Sequence, residues 1–285
     1  MNDASRFAQA WAEALAAWAI PQPILDAAPE SPYGFPAELF ERRGHRSIRD
    51  DPTPTTARAL EALGDGGTVL DIGVGGGATC LPLADRCTGL VAVDGQADML
   101  VAIERRAREL DLDVTTVLGR WPDVAAETPA VDVAVCGHVA YNAPDLGPFL
   151  TALSSHAGRR VAIELTELHP LSWMNDLWLR FHDVVRPERP SADDAETLSR
   201  ALGFRVHRED RIDNEDMAGS GFEHREDAIS LVRRRLCLTP DRDDEIADAL
   251  GTRLAEHGGL WGAGPHEQRV VTLWWDTVAQ QERAG

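Results

Sequence analysis

Short runs of apolar residues recur along this chain, separated by longer segments of mixed polarity. Each run is short enough to be a buried strand, and several segments between them place apolar residues at helical spacing. The predicted strands are 69–72, 90–94, 114–119, 131–136, 160–165, 204–209 and 269–275. Strands that alternate with helices are typical of an α/β domain built on a mostly parallel sheet.

The predicted helices lie at the N-terminal end and between these strands. They are 4–19, 193–202, 223–236 and 241–256, and a helix at 171–184 is one of two interpretations of that segment. In the first, Phe7, Trp11, Leu15 and Trp18 share one face. That face has two interpretations: it packs on the sheet, or it closes as a lid over a substrate.

A proline-rich segment at 21–36 follows the first predicted helix. Its five prolines exclude a continuous helix and predict a strap across the surface. A basic cluster at 41–46 comes next. Such clusters are usually solvated or paired with acids, and one that faced a cleft would indicate an anionic substrate.

The first strand ends in a glycine-rich turn that carries the strongest chemical signal. Asp71 is followed by Gly73, Gly75 and Gly77, and the pattern predicts a helix from near Ala78. Glycines allow left-handed backbone angles and close approach of a ligand. A carboxylate at Asp71 would repel a pyrophosphate but attract a cationic ligand, which favours a positively charged nucleoside.

This D-x-G-x-G-x-G pattern resembles the first motif of class I S-adenosylmethionine-dependent methyltransferases. The same letters also fit the dinucleotide spacing G-x-G-x-x-A, which ends at Ala78. Asp94, at the end of the second strand, could bind ribose hydroxyls in either family. The seven runs favour the methyltransferase, since that family inserts a late antiparallel strand between the fifth and sixth strands.

The resemblance implies a Rossmann-like class I methyltransferase fold, with a seven-stranded, mostly parallel sheet and helices on both faces. Residues 1–53 would form an N-terminal helix and strap, a candidate substrate lid. Residues 54–285 would form the methyltransferase domain, with an insertion at 166–190 and a helical segment at 223–256.

The resemblance also implies a cofactor site for S-adenosyl-L-methionine. Its methionine portion would lie on Asp71 and the glycine loop, its ribose on Asp94, and its adenine near the turn after the third strand. The implied cofactor residues are Asp71, Gly73, Gly75, Gly77, Asp94, Gly95, Gln96, Trp121, Asp123 and His138.

His138 is also the candidate catalytic residue. If the acceptor is a hydroxyl, a base must remove its proton, and imidazole, with a reference pKa of about 6.5, is suited to this. The alternative is a hydrogen-bonded structural histidine. The predicted substrate-binding residues are Tyr141, Asn142, His169 and Trp173; the last two lie in the long aromatic segment after the fifth strand, which alternatively caps the sheet as a helix.

Composition narrows the classes of chemistry. The chain has 285 residues and a formal net charge of −19, which disfavours nucleic acid as a partner. All 28 basic residues are arginine. The lack of lysine excludes a Schiff-base lysine, a pyridoxal-phosphate anchor and a P-loop lysine.

The four cysteines, Cys80, Cys87, Cys136 and Cys237, lack metal-ligand spacing and predict buried thiols with no metal site. No run reaches membrane-spanning length and no leader pattern opens the chain, so we expect a cytoplasmic monomer or homodimer.

The sequence therefore predicts a methyltransferase acting on a small molecule, with oxygen favoured over nitrogen or carbon as the acceptor atom. The alternatives are an NAD-dependent oxidoreductase, a non-catalytic S-adenosylmethionine-binding regulator and, with less support, an RNA methyltransferase.

Overall fold

A computed structural model of the chain describes residues 2–34, 44, 47–48, 51–213, 221–265 and 267–277. The strands are β1 Gly67–Ile72, β2 Cys87–Asp94, β3 Val114–Leu118, β4 Val131–Gly137, β5 Ala157–Thr166, β6 His207–Asp213, β7 Leu254–His257, β8 Leu260–Ala263 and β9 Gln268–Asp276. The α-helices are α1 Asp3–Ala16, α2 Gln22–Ala27, α3 Pro54–Leu63, α4 Ala97–Glu109, α5 Leu146–His156, α6 Asn175–His182, α7 Ala192–Ala201, α8 Arg225–Arg235 and α9 Asp243–Leu250.

Seven strands form one sheet in the order β3-β2-β1-β4-β5-β9-β6. The pairs among β1 to β5 are parallel, whereas β9 runs antiparallel to both β5 and β6. The predicted Rossmann-like sheet, with a late antiparallel strand between the fifth and sixth, is confirmed. The carboxyl ends of β1, β2, β4 and β5 therefore meet at one edge, where ligands bind in open α/β sheets.

Helices cover both faces of the sheet. On one face α5 packs on β4 and β5, and α1 packs against α5 and α7. On the other, α3 packs on β4 and β5, and α4 packs on β2 and β3. Both faces of the central strands are thus buried, which explains why their sequences are continuous apolar runs.

A third apolar cluster lies apart from the sheet and joins distant segments. It combines α6, α8, α9 and the β7–β8 hairpin with side chains in and beside α2, including Ile20, Ile24 and Ala28. The strap, the insertion and the late helical segment, which the sequence suggested as separate units, thus share one accessory core.

Two predicted helices differ from the structure. The helix expected from near Ala78 is absent; the loop turns and forms a 3₁₀ helix at Leu81–Arg86, because Pro82 lacks an N–H group and β2 begins directly afterwards. The helix expected over 241–256 ends at Leu250. Gly251, with φ 54°, stops it, and Gly258 and Gly259 then form the turn of the β7–β8 hairpin.

Two other predicted elements are displaced. The predicted helix 171–184 is a short 3₁₀ helix, Ser172–Met174, followed by α6. The strand predicted at 204–209 begins at His207 and continues to Asp213. This edge strand is held by ion pairs, such as those of Arg208 with Asp193 and Glu196, so apolar periodicity does not mark its end.

Candidate functional site

The glycine loop after β1 packs directly against the turn after β4. Gly73 has φ 69°, and a Cβ built on it would lie 2.4 Å from Cγ2 of Val139. A Cβ on Gly137 would lie 2.4 Å from Oγ1 of Thr79, so the contact is reciprocal. The glycine loop and the turn that carries His138 therefore meet at the carboxyl edge of the sheet.

Asp71 lies at this edge with its side chain in the protein interior. It is 1% exposed, and neither carboxylate oxygen has a hydrogen-bond partner among the described residues. Burial raises the pKa of Asp71 to about 7, and the nearby negative charge of Asp94 adds to the effect. The thiol and backbone N–H of Cys80 oppose it, although neither reaches hydrogen-bond geometry with the carboxylate. A cationic ligand group would compensate this carboxylate.

Asp94, at the end of β2, is also buried but is fully engaged with the backbone. Its Oδ2 accepts from the N–H of Gly75 at 3.0 Å, and its Oδ1 accepts from the N–H of Gln96 at 2.9 Å. The carboxylate that stabilises the glycine loop is therefore Asp94, not Asp71. Gly95 and Gln96 are exposed beside it.

The turn after β3 carries the two residues predicted to contact adenine, one buried and one exposed. Trp121 is 8% exposed; its indole N–H donates to the carbonyl oxygen of Phe149 at 3.1 Å, and its ring meets the edge of His156. Asp123 is exposed. Trp121 thus packs in the core on the α5 face, and its contact with adenine stays a prediction.

His138 is held by Glu164 through both backbone and side chain. Its backbone has φ 60°, unusual for a residue with a side chain, and its N–H donates to the carbonyl oxygen of Glu164 at 2.7 Å. Its Nε2 lies 3.0 Å from Oε1 of Glu164. The imidazole, about one fifth exposed, is therefore fixed at the edge where the glycine loop lies.

Glu164 is the residue that sequence reasoning missed. It is buried, and its Oε2 accepts from Oγ1 of Thr55 at 3.0 Å and lies 3.4 Å from Nη2 of Arg211. The signal was present, because an acidic residue interrupts the otherwise apolar run of β5. Its partners come from α3 and β6, which no local pattern connects.

The predicted substrate residues form an aromatic stack with the N-terminal segment. Tyr141 is buried, and its hydroxyl donates to the carbonyl oxygen of Thr166 at 2.7 Å. Its ring centroid lies 5.6 Å from that of Trp11 and 5.4 Å from that of His169. The ring of His169 also stacks on that of Trp18, with the centroids 3.8 Å apart. Burial lowers the pKa of His169 to about 4, and the positive charge of Arg186 contributes.

The remaining predicted substrate residues are more open. Asn142 is exposed, and Trp173 is half-buried, with its carbonyl oxygen accepting from Arg253 at 2.9 Å. The structure brings the rings of Tyr141 and His169 into contact, and among the described residues neither ring packs on the ring of Trp173. Their role toward an acceptor stays a prediction.

The N-terminal helix is packed in this structure. The indole N–H of Trp11 donates to the carbonyl oxygen of Ala143, and that of Trp18 donates to the carbonyl oxygen of Arg189. Arg186 lies between the rings of Trp18 and Trp178 and donates to the carbonyl oxygen of Ala19. The first interpretation of this helix, packing, thus describes the observed state.

The basic cluster at 41–46 lies outside the described residues except for Gly44. A Cβ on Gly44 would lie 1.8 Å from the carbonyl oxygen of Gly76, so the backbone preceding α3 contacts the glycine loop.

The cysteine thiols lie in the protein interior. All four cysteines are free and buried, as predicted. Within the described ranges, no group of three or more His, Cys, Asp or Glu side chains is arranged to hold a metal ion. In the same part of the chain, no helix combines the length and apolar character needed to cross a membrane.

Comparison with known proteins adds an independent finding. Residues 69–157 match a family model described as a methyltransferase domain, which spans the glycine loop, Asp94 and His138. No curated protein matches the chain significantly.

Solved structures share the fold at low identity. A S-adenosylmethionine-dependent methyltransferase from Thiobacillus denitrificans, in complex with S-adenosyl-L-homocysteine, is 19% identical, with 86% of this chain and 100% of that chain covered and a TM-score of 0.50. The magnesium protoporphyrin IX methyltransferase of Synechocystis PCC 6803 with bound S-adenosylhomocysteine is 14% identical, with 96% and 100% covered and a TM-score of 0.48. The first of these similarities supports the architecture of the sheet.

Proposed function

We propose that this chain, which is a class I S-adenosylmethionine-dependent methyltransferase, methylates a small-molecule acceptor at oxygen, with His138 as general base. The observation that carries the oxygen preference is the imidazole of His138, fixed beside the glycine loop by Glu164. Amine acceptors are nucleophilic once neutral, whereas a hydroxyl gains most from a base placed at the reacting edge.

The residues at the carboxyl edge suit the cofactor S-adenosylmethionine. The ionised Asp71 would hold the cationic methionine portion, which would supply the hydrogen bonds that its buried oxygens lack. Each oxygen of Asp94 has a further lone pair beyond its bond to the loop, so ribose hydroxyls could donate to it without displacing Gly75 or Gln96. Bound there, the cofactor supplies an electrophilic methyl group.

The catalytic work left to the protein is then orientation, exclusion of water and removal of one proton. We propose that the loop after β1 and the turn after β4 hold the two reactants at adjacent positions, since these segments are in contact. His138 would take the hydroxyl proton of the acceptor. The charge of −19 supports a small molecule over a nucleic acid, and binding to RNA that weakens steeply with salt would contradict this.

Two measurements test the proposal. In thermal shift, S-adenosylhomocysteine should raise the melting temperature and NADH should not; stabilisation by NADH alone would favour the oxidoreductase. In an acceptor panel of phenols, aliphatic alcohols, amines and carboxylates, formation of S-adenosylhomocysteine should occur with hydroxyl compounds. Turnover of amines alone would overturn the oxygen preference, and binding without turnover of any compound would favour the regulator.

The role of His138 has its own variant. His138→Ala should lower kcat with the hydroxyl acceptor by about 100-fold or more, which is the usual contribution of general base catalysis. The affinity for S-adenosylhomocysteine should change little in comparison. An unchanged kcat would remove His138 from catalysis.

A further inference from the structure

Glu164 contacts His138 through one oxygen and two hydrogen-bond donors through the other. Oε1 lies 3.0 Å from Nε2 of His138. Oε2 accepts from Thr55, whose hydroxyl also lies 2.7 Å from that of Thr272, and it faces Nη2 of Arg211. The two ends of this carboxylate therefore have different and fixed surroundings.

Those surroundings come from elements that meet only in the folded sheet. In the sheet, Glu164 pairs with Gly137 on β4 and with Thr272 on β9. Thr55 lies in the first turn of α3, and Arg211 lies on β6. Arg211 also binds Asp213 at 2.8 Å, which limits its movement. A buried carboxylate with this many partners is costly to assemble, which indicates a role beyond packing.

The chemistry of the two oxygens defines the proton on His138. An ionised carboxylate only accepts hydrogen bonds, so Nε2 of a neutral His138 must carry the hydrogen that faces Oε1. The lone pair of the neutral ring then lies on Nδ1. The bond also stabilises the ring once a second proton has arrived.

We propose that Glu164 is a positioning residue: it holds His138 in the tautomer with hydrogen on Nε2, so that Nδ1 is the atom that takes the acceptor proton. The tautomer rests on the contact between Glu164 and Nε2 of His138, whereas the proton transfer rests on the proposed function. In that step the acceptor O–H bond breaks, the proton passes to Nδ1, and the oxygen uses the electron pair it keeps to bond to the methyl carbon. The bond between that carbon and sulfur would break, with its electron pair left on the sulfur of S-adenosylhomocysteine.

Glu164→Gln provides a sharp test because Arg211 can only donate. The glutamine has one oxygen, and Arg211 requires an acceptor at the Oε2 position, whereas the hydroxyl of Thr55 can donate or accept there. The amide nitrogen must then face His138, so Nε2 becomes the acceptor and the hydrogen moves to Nδ1. Glu209→Gln is the matched control, since Glu209 lies opposite Thr272 on β6 and binds Arg58 instead.

The tautomer can be read without any acceptor. Two-bond ¹H–¹⁵N correlation spectra of ¹⁵N-histidine-labelled protein, with His138 assigned by the missing signal in His138→Asn, should show hydrogen on Nε2 in the wild type and in Glu209→Gln. They should show it on Nδ1 in Glu164→Gln. Hydrogen on Nδ1 in the wild type would overturn the proposal without any variant, as would an unchanged tautomer in Glu164→Gln.

Kinetics with the hydroxyl acceptor selected by the panel separate the two proposals. Glu164→Gln should lower kcat by about 10- to 100-fold with little change in the KM for the acceptor. In a His138→Ala background, Glu164→Gln should have no further effect on kcat.

Each failure has a different signature. Equal and additive losses of kcat in both backgrounds, with the tautomer unchanged, would mean that Glu164 acts only on the fold and would overturn its positioning role. An unchanged kcat in His138→Ala, with the tautomer as expected, would overturn the base while leaving the contact between Glu164 and His138 intact.

Discussion

A buried carboxylate without a hydrogen-bond partner is among the most costly arrangements that a single residue can have. Asp71 has this arrangement within the described residues, at the point where the glycine loop begins. Asp94, one strand away, shows the contrast, since both of its oxygens are bonded to loop amides. We infer that Asp71 is retained for a ligand group that only the bound state supplies.

The raised pKa of Asp71 predicts how stability depends on pH. The carboxyl ionises near its ordinary value in the unfolded chain but only at about 7 in the fold, so the protein loses stability as pH rises between these values and no further above. Asp71→Asn removes this loss, which is on the order of 4 kcal/mol over the whole window.

Urea unfolding of the free protein from pH 5.5 to 8.5 checks this prediction. The free energy of unfolding of Asp71→Asn should increase relative to that of the wild type up to about pH 7. Above that pH the difference between the two should be constant. Asp65→Asn, an exposed position just before β1, should follow the wild type at every pH. Parallel curves for the wild type and Asp71→Asn would contradict the burial argument.

The same titration predicts the pH dependence of ligand binding. If the ionised Asp71 holds the cationic amino group, the affinity for S-adenosylhomocysteine should rise as pH increases from 6 to 8 and level off above the pKa of about 7. Calorimetry in buffers of different ionisation enthalpy should report proton release below pH 7. Asp71→Asn should bind more weakly and release no proton; a normal affinity would exclude Asp71 from the site.

Asp94→Ala should weaken binding of S-adenosylhomocysteine by about 1.5–3 kcal/mol, the loss expected for charge-assisted hydrogen bonds to ribose. It should also loosen the loop, because Gly75 and Gln96 lose their acceptor. Asp98→Ala, on the exposed first turn of α4, is the matched control and should bind normally. Equal dissociation constants for the wild type and Asp94→Ala, measured by calorimetry, would remove Asp94 from the cofactor site.

At the scale of elements, the contact between the loop after β1 and the turn after β4 sets the position of His138. Val139 occupies the space that a Cβ on Gly73 would need, so the two segments fit only when residue 73 is glycine. The strongest cofactor motif and the candidate base are thus coupled by one close approach. A side chain at residue 73 should therefore affect both.

Gly73→Ala should destabilise the fold by about 2–4 kcal/mol, since it combines a left-handed backbone angle with a clash against Val139. Adding Val139→Ala should relieve the clash but leave the backbone cost. The effects of the two substitutions on the free energy of unfolding should therefore be non-additive by roughly 1 kcal/mol. Gly203→Ala is the control for the backbone term, because φ is 93° there and nothing lies within 4 Å of the added Cβ. Urea denaturation of Gly73→Ala, Val139→Ala, the double variant and Gly203→Ala measures these effects. Strict additivity of the first two would contradict the contact between Gly73 and Val139.

What the sequence could predict follows from the range of the interactions. The central strands β1, β2, β4 and β5 are buried on both faces, so continuous apolar runs mark them. Asp94 and His138 follow from their places at strand ends. Glu164 escaped because its partners, Thr55 and Arg211, come from α3 and β6. The β7–β8 hairpin was missed although Gly258 and Gly259 carried a local turn signal, which the helical pattern before it obscured.

At the scale of the molecule, the N-terminal segment joins the carboxyl edge of the sheet to the accessory core. Trp11 contacts Tyr141 in the turn that follows His138, while Trp18 contacts His169 and Arg186 in the insertion. Arg234 and Arg235 on α8 bind backbone oxygens of the strap at Tyr33 and Gly34. The segment therefore packs both at the edge of the sheet and in the accessory core. The apolar periodicity of its own sequence could not predict these partners.

This packing predicts that α1 stays docked whether or not ligand is bound. A lid would have to withdraw the indole of Trp11, which is 1% exposed and bonded to Ala143, and release Trp18 from Arg189. Hydrogen exchange followed by mass spectrometry should show slow exchange over 3–16 with and without S-adenosylhomocysteine. Trp11→Ala should cost about 3–5 kcal/mol and speed this exchange, because it leaves a large cavity beside Tyr141. Fast exchange of α1 in the free wild type that slows on binding would instead establish the lid, since only a segment that opens gains protection when ligand closes it.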